Sequence, residues 1–179
     1  MITFQQYLTE KKNVDYDLSS TQVDLPSDIA KGVIAWCKFH IPEDDLYKEG
    51  DKFGRENEIH VTILYGLHTA NPLEVKKIVK GNKPIKFTLG KISLFSSNSQ
   101  YDVVKIDVEG QALHQLNKKL KKLKYTSSFP QYHPHITLAY VKKGMGKKHV
   151  GVSKFAGEVI ISNDIIFSSK NGTKTKIEL

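Results

Sequence analysis

Two six-residue segments of this chain rhyme, and the rhyme constrains its fold more than any other feature. They are His60-Val61-Thr62-Ile63-Leu64-Tyr65 and His135-Ile136-Thr137-Leu138-Ala139-Tyr140, each running His, apolar, Thr, apolar, apolar, Tyr. Both are rich in β-branched and aromatic residues and read as strands. Side chains alternate along a strand, so His60 projects with Thr62 and His135 with Thr137, while Val61 and Ile136 turn to a core. The same alternation sets Tyr65 and Tyr140 opposite their histidines, in packing rather than stacking roles. Seven histidines give roughly one His-x-Ser/Thr by chance, whereas the six-residue repeat arises on the order of once in a thousand such chains. The chain therefore needs two strands that each present an imidazole beside a hydroxyl.

The rest of the sequence supplies the frame. A length of 179 residues suits one domain, and 39% apolar with 26% charged residues excludes a disordered chain. The only cysteine, Cys37, excludes a disulfide framework and a thiolate zinc cage. No apolar run reaches the roughly 20 residues of a membrane helix, and Met1–Lys12 is no secretory h-region. Residues 1–30 read as a polar, at best loosely packed N-terminal segment, and residues 31–179 as the domain. Within the domain, Gly32–Ile41 is expected as a strand closed by Pro42, and Ile59–Tyr65 as a strand stopped by Gly66. Pro72 to Gly81 has the Pro-first, Gly-last form of a short helix. Ile85–Phe95 and Tyr101–Val108 read as a hairpin. Leu113, Leu116, Leu120 and Leu123 give Gly110–Lys124 a helical stripe. His135–Val141, Phe155–Ile161, Asp164–Ser168 and Thr173–Leu179 complete the strands, the last two flanking the hairpin signal Asn171-Gly172. About eight strands and two helices, with helices between antiparallel strands, make an α+β fold.

The paired imidazoles suit phosphodiester chemistry. One side chain must take a proton from the nucleophile and another must protonate the leaving oxygen. Histidine, with an ordinary pKa near 6.5, serves both roles at one pH. A hydroxyl two residues along can hold the nonbridging phosphate oxygens as charge builds. Such a scheme needs no cofactor or metal: His133-Pro134-His135 has poor chelate geometry and no carboxylate nearby. Tyr132, in the loop before His135, is a candidate to stack a nucleobase. Arg55 and Lys142, with Lys143, Lys147 and Lys148, sit in loops where they would attract phosphates. The net charge of +8, concentrated in Lys76–Lys86, Lys118–Lys124 and Val141–His149, fits a polyanionic ligand or a solvated face. His40, His68, His114 and His149 have no partner motif, Asp44 and Asp45 read as a loop feature, and Trp36 reads as core.

At these residues the sequence resembles the two-histidine (2H) phosphoesterase superfamily, defined by two His-x-Thr/Ser motifs in separate halves of a pseudo-symmetric α+β fold. The resemblance spans roughly Gly32 to Leu179, with His60-Val61-Thr62 and His135-Ile136-Thr137 as the motifs and Tyr132 to Leu138 as the second motif's context. It implies two lobes, each an antiparallel sheet with a packed helix, and a cleft between them. It also implies that the histidines are base and acid and that Thr62 and Thr137 bind the scissile phosphate. The superfamily includes 2′,3′-cyclic phosphodiesterases, RNA 2′,5′ ligases, and phage enzymes that degrade the cyclic oligonucleotide alarm signals of the anti-phage CBASS system. MITFQQYLTE (residues 1–10) resembles the capsid-targeting leader of T-even-type phage internal head proteins, cut after Leu-x-Glu, here Leu8-Thr9-Glu10. That leader implies a packaged protein acting in the bacterial host cytoplasm, and favours a cyclic di- or trinucleotide substrate. RNA 2′,3′-cyclic ends are the alternative. A different class of reading is a nucleic-acid-binding protein without activity, using the Lys-rich helix and the basic loop 142–148. No segment announces a membrane contact or an interface between copies.

Overall fold

Both rhyming segments are strands that begin on their histidine. The computed structural model describes residues 18–50, 52–127, 129 and 131–179. In chain order its elements are β1 (Ser19–Asp24), α1 (Ser27–His40), β2 (Lys48–Glu49), β3 (Lys52–Phe53), β4 (His60–Leu67), α2 (Pro72–Val79), β5 (Ile85–Phe95), β6 (Tyr101–Glu109), α3 (Gln111–Leu120), β7 (His135–Lys142), β8 (Val159–Ser162), β9 (Asp164–Ser168) and β10 (Lys174–Glu178). Short 3-10 turns form at Glu43–Asp45 and Met145–His149.

Eight of the strands form two antiparallel sheets, ordered β10-β9-β1-β4 and β7-β6-β5-β8. The histidine strands β4 and β7 are thus corresponding edges, and the two edges approach each other. Each belongs to a strand–helix–strand unit, β1–α1–β4 or β6–α3–β7, in which the two strands pair antiparallel. The helices cross over: α1 packs against β7, while α3 packs against β4 and β5. This is the expected α+β, two-lobed architecture. Its core joins Val61 and Ile63 of β4, Ile136 and Leu138 of β7, Val33 and Cys37 of α1, and Leu113, Leu116 and Leu120 of α3. Among the described residues no helix is long and apolar enough to cross a membrane.

Two expectations fail at the N-terminal end. Gly32–Ile41 is not a strand but part of α1 and its C-terminal cap. The β-branched run is real, yet Val33, Cys37 and Ile41 recur every four residues and bury together, and Pro26 with Asp28 starts the helix upstream of that run. Nor are residues 19–30 loose. β1 lies inside its sheet between β9 and β4, with Thr21 and Val23 buried, so its polar letters face either a partner strand or the cleft. Residues 1–10, the leader-like stretch, lie outside the described residues.

The β4 strand also passes through Gly66 instead of stopping there. Gly66 has φ +83°, and a Cβ would sit 2.0 Å from the Thr126 carbonyl oxygen. The glycine lets that carbonyl, on the segment leading to β7, come directly onto β4.

Candidate active site

The two histidines are held in one way. His60 Nδ1 lies 2.6 Å from the Glu58 carbonyl and His135 Nδ1 lies 2.7 Å from the His133 carbonyl. A carbonyl only accepts, so each Nδ1 carries a proton, and a neutral ring keeps its lone pair on Nε2. In both halves the carbonyl comes from two residues before the histidine, where the chain enters the strand.

The neighbouring strand supplies the floor of each half. Asp24 pairs with His60, Gln22 with Thr62 and Ser20 with Tyr65. In the other half Asp107 pairs with His135, Lys105 with Thr137 and Val103 with Tyr140. Opposed residues share a face. Ser20, Gln22 and Asp24 alternate, so Tyr65 lies on the same face as Thr62 and His60, and Tyr140 lies with Thr137 and His135. This overturns the simple alternation that put the tyrosines opposite. The cause is a matching β-bulge in each strand. It leaves Ile63 and Leu64 both buried, and likewise Leu138 and Ala139, which resets the period before the tyrosine. Tyr65 is largely exposed, whereas Tyr140 packs into an aromatic group with Phe53 and Tyr101.

The His135 half contains a buried polar network. Lys105, only 6% exposed, donates to Ser93 Oγ at 2.6 Å and pairs with the Asp107 carboxylate. Ser93 also donates to Asp107, at 2.5 Å. The Lys105 ammonium lies 4.4 Å over the Phe95 ring, whose neighbour at 4.8 Å, edge to face, is His135. Burial opposes ionisation of Asp107, but Lys105 and Ser93 hold its carboxyl below the usual range. Burial also pushes the His135 imidazole below its ordinary value, and the charges of Lys105 and His60 add to this against the His133 carbonyl and Asp107. Across the site the network is smaller: Gln22 Nε2 donates to Asp24 Oδ1 at 2.6 Å. A cleft of about 390 Å³ opens beside His135, lined by Phe95, Lys105, Asp107, Glu109, His114 and His133 among others.

The structure thus brings His60, Thr62, His135 and Thr137 to facing strand edges, and neither threonine hydroxyl is engaged by another group among the described residues. It relocates the other three candidates. The Tyr132 hydroxyl donates to the Thr62 carbonyl at 2.9 Å, and its ring meets His114, so it ties the lobes together instead of offering a free stacking surface. Arg55 spends its guanidinium on the Ile41 carbonyl and the Glu43 carboxylate, leaving no fork for a phosphate. Lys142 closes β7 about seven residues, or roughly 23 Å, from His135, and donates to the Asp44 carbonyl. Asp45 is more than a loop feature, since its carboxylate takes Lys148 at 2.8 Å and His149 at 2.9 Å. Sequence reasoning missed Gln22, Asp24, Ser93, Lys105 and Asp107. The only signal was the alternation of Gln22-x-Asp24 and Lys105-x-Asp107, visible once strand pairing is known. Among the described residues no three His, Cys, Asp or Glu side chains are grouped to hold a metal. Burial pushes the Cys37 thiol up to about 12, which disfavours the thiolate at neutral pH.

Comparison with known proteins agrees with this geometry. The family described as anti-CBASS protein Acb1 matches residues 49–174, a span that contains both rhyming segments. TT0787 of Thermus thermophilus superposes with a TM-score of 0.61 at 14% identity, over 90% of this chain and 97% of that one. Escherichia coli LigT complexed with 3′-AMP gives 0.55 at 18% identity, over 92% of this chain and 95% of its own. Kluyveromyces marxianus Usb1 with uridine monophosphate gives 0.53 at 12% identity, over 93% and 100%. At these identities the likeness is one of fold. No curated protein matches the chain.

Proposed function

The chain belongs to the family of the anti-CBASS protein Acb1, and from that premise we propose that it is an enzyme of the two-histidine phosphoesterase type that cleaves a phosphodiester of a cyclic di- or trinucleotide without a metal ion. The observation that carries the reading is the pair of Nε2-presenting imidazoles, each beside a threonine hydroxyl, on two strand edges that meet. A neutral imidazole takes the proton of the attacking oxygen, a ribose 2′-hydroxyl or water, as the new O–P bond forms. The other, protonated, gives its Nε2 proton to the departing ribose oxygen as the old P–O bond breaks. The Thr62 and Thr137 hydroxyls donate to the nonbridging oxygens while negative charge accumulates on them. A nucleotide substrate is supported by the relatives crystallised with 3′-AMP and uridine monophosphate, and by the net positive charge. Such a substrate is met in the bacterial cytoplasm, and the leader-like residues 1–10 would direct packaging into a virion.

Turnover of a nucleotide panel in excess EDTA tests the reading. The panel holds cyclic dinucleotides, cyclic trinucleotides and an RNA oligonucleotide with a 2′,3′-cyclic end. Cyclic oligonucleotides should be cut, and His60→Ala and His135→Ala should each lose about 10²- to 10⁴-fold, the usual worth of one proton-transfer group. Turnover confined to the 2′,3′-cyclic end would keep the chemistry and replace the substrate. Absence of cutting with and without EDTA would sink the catalytic reading and leave nucleic-acid binding by the lysine-rich surfaces.

A further inference from the structure

Acid–base catalysis needs one ring to start neutral and the other protonated, and a pseudo-symmetric pair of histidines does not by itself decide which is which. The features that orient the rings do not distinguish them: each Nδ1 is tied to the carbonyl two residues upstream, and each ring has an aspartate opposite it. The halves differ one step further along. Opposite Thr62 stands Gln22, whose own neighbour across the sheet is Ile166. Opposite Thr137 stands Lys105, whose neighbour is Ser93. A neutral amide and an ammonium thus occupy equivalent places in the two sheets.

We propose that Lys105 is the positioning residue that breaks this symmetry and commits His135 to the base's role and His60 to the acid's. The inference rests on the phosphodiesterase reading above and deepens it. The Lys105 ammonium is buried and fixed on three sides, by Ser93, by Asp107 and by the face of Phe95. Phe95 also packs edge to face with His135, so the cation and that imidazole share one aromatic neighbour. A fixed cation there opposes protonation of His135 and leaves its Nε2 lone pair free to take a proton. Asp107 opposes this effect but weighs less on the ring than the ammonium does. The remaining charged or titratable groups facing His135 are His60 on β4 and His133 at the approach to β7, with His114 and Glu109 in the adjoining cleft. The depressed titration of His135 agrees with the geometry. On the other side Asp24, bound only by Gln22 among the described residues, stands opposite His60 with no cation in the position of Lys105.

The test reads the two rings directly and the rate separately. Imidazole titrations are followed by NMR in the wild-type chain, K105Q, K105R and Q22K, alongside pH profiles of kcat/KM. In K105Q the His135 ring should titrate at higher pH while His60 stays, and the acid limb of kcat/KM should move up with it. Each unit of that movement costs about tenfold in rate on the limb. K105R keeps the charge and should restore the limb. Q22K places a cation beside His60 and should lower the alkaline limb. Should removal of Lys105 unfold the network through Asp107, K105Q/D107N and Q22K carry the same comparison. A His135 titration unchanged in K105Q overturns the proposal, as does a loss that is uniform with pH or confined to KM, which would make Lys105 a phosphate contact. The NMR arm needs no turnover, so an inactive but correctly titrating protein would reject the phosphodiesterase reading while leaving the electrostatic effect measured.

Discussion

The two histidine strands agree residue by residue on the cleft face, yet their outer edges are held by different means. The free edge of β7 is covered by residues 47, 54 and 56 through main-chain bonds: Tyr47 N to Tyr140 O at 3.0 Å, Tyr140 N to Gly54 O at 2.8 Å and Glu56 N to Leu138 O at 2.9 Å. Among the described residues the free edge of β4 receives two such bonds from the segment 124–126, Thr126 N to Gly66 O at 2.8 Å and His68 N to Lys124 O at 3.0 Å. Nearer the chemistry its carbonyls rely on side chains, Tyr132 for Thr62 and Asn117 for Ile63. Main-chain bonds survive most substitutions and side-chain bonds do not. The His60 half is therefore the half that single mutations can loosen.

The largest effect should come at Gly66. The rhyme ends there, since the equivalent residue after Tyr140 is Val141. Gly66→Ala puts a methyl group into the Thr126 carbonyl and a side chain at φ +83°, and should cost about 3 kcal/mol or more in denaturant unfolding. A loss under about 1 kcal/mol would show that the strap moves aside freely and that the β4 edge is less dependent on it. Asn117→Ala comes next. It leaves the buried Ile63 carbonyl without its 2.7 Å donor and should cost about 1–3 kcal/mol. Equal stability to the wild type would mean that water replaces the amide at that edge.

How much of this was readable beforehand follows from the same contrast. The His-x-Thr pairs, the Asn171-Gly172 turn and the leucine stripe of α3 are local signals, set by residues a few positions apart, and each stands in the structure. The helix at Ser27–His40 was hidden because the residues that start it, Pro26 and Asp28, precede the stretch Gly32–Ile41, whose β-branched and aromatic residues read as a strand. The floor of the site was hidden for a stronger reason. Gln22 and Lys105 acquire meaning only from register with Thr62 and Thr137, across 40 and 32 residues of chain. The bulges were written in the sequence as the doubled apolar residues before each tyrosine, although strict alternation misread them. Arg55 and Lys142 show the converse error: exposed-looking cations in loops were consumed by carbonyls and carboxylates that only the tertiary fold brings near.

A smaller, pH-driven effect should appear on the β7 side, beyond the end of that strand. Asp102 accepts from Lys143 at 3.1 Å and from the amides of Gly144 and Gly146 at 2.8 and 3.4 Å, while Asp45 holds Lys148 and His149. Burial opposes ionisation of both carboxyls, but these partners hold each below the ordinary value of 3.8. The sign follows from linkage: a carboxyl depressed in the folded state adds stability that is full above the unfolded value and is lost as pH falls through the folded one. Hydrogen exchange on acidification below about pH 4 should therefore expose the amides of Gly144 and Gly146 before those of Thr126 and His68 on the β4 strap. Simultaneous loss would mean that the two ends open as one unit.

The smallest effect, and the sharpest on the comparison, belongs to Tyr132. Tyr132→Phe keeps the ring on His114 and in the core but removes the hydroxyl that donates to Thr62. The loss in stability should be about 1 kcal/mol, the usual worth of one part-buried hydrogen bond. The more telling reading is kinetic. Thr62 would keep its hydroxyl and lose the restraint on its own backbone, so kcat should fall by a few-fold, within what loose positioning costs, with KM and the pH limbs in place. If kcat is unchanged, β4 is stiff enough without its side-chain tie, and the asymmetry between the two edges is structural only. If KM rises instead, the hydroxyl faces the substrate as well as the strand, and Tyr132 regains the binding role that its place before His135 suggested.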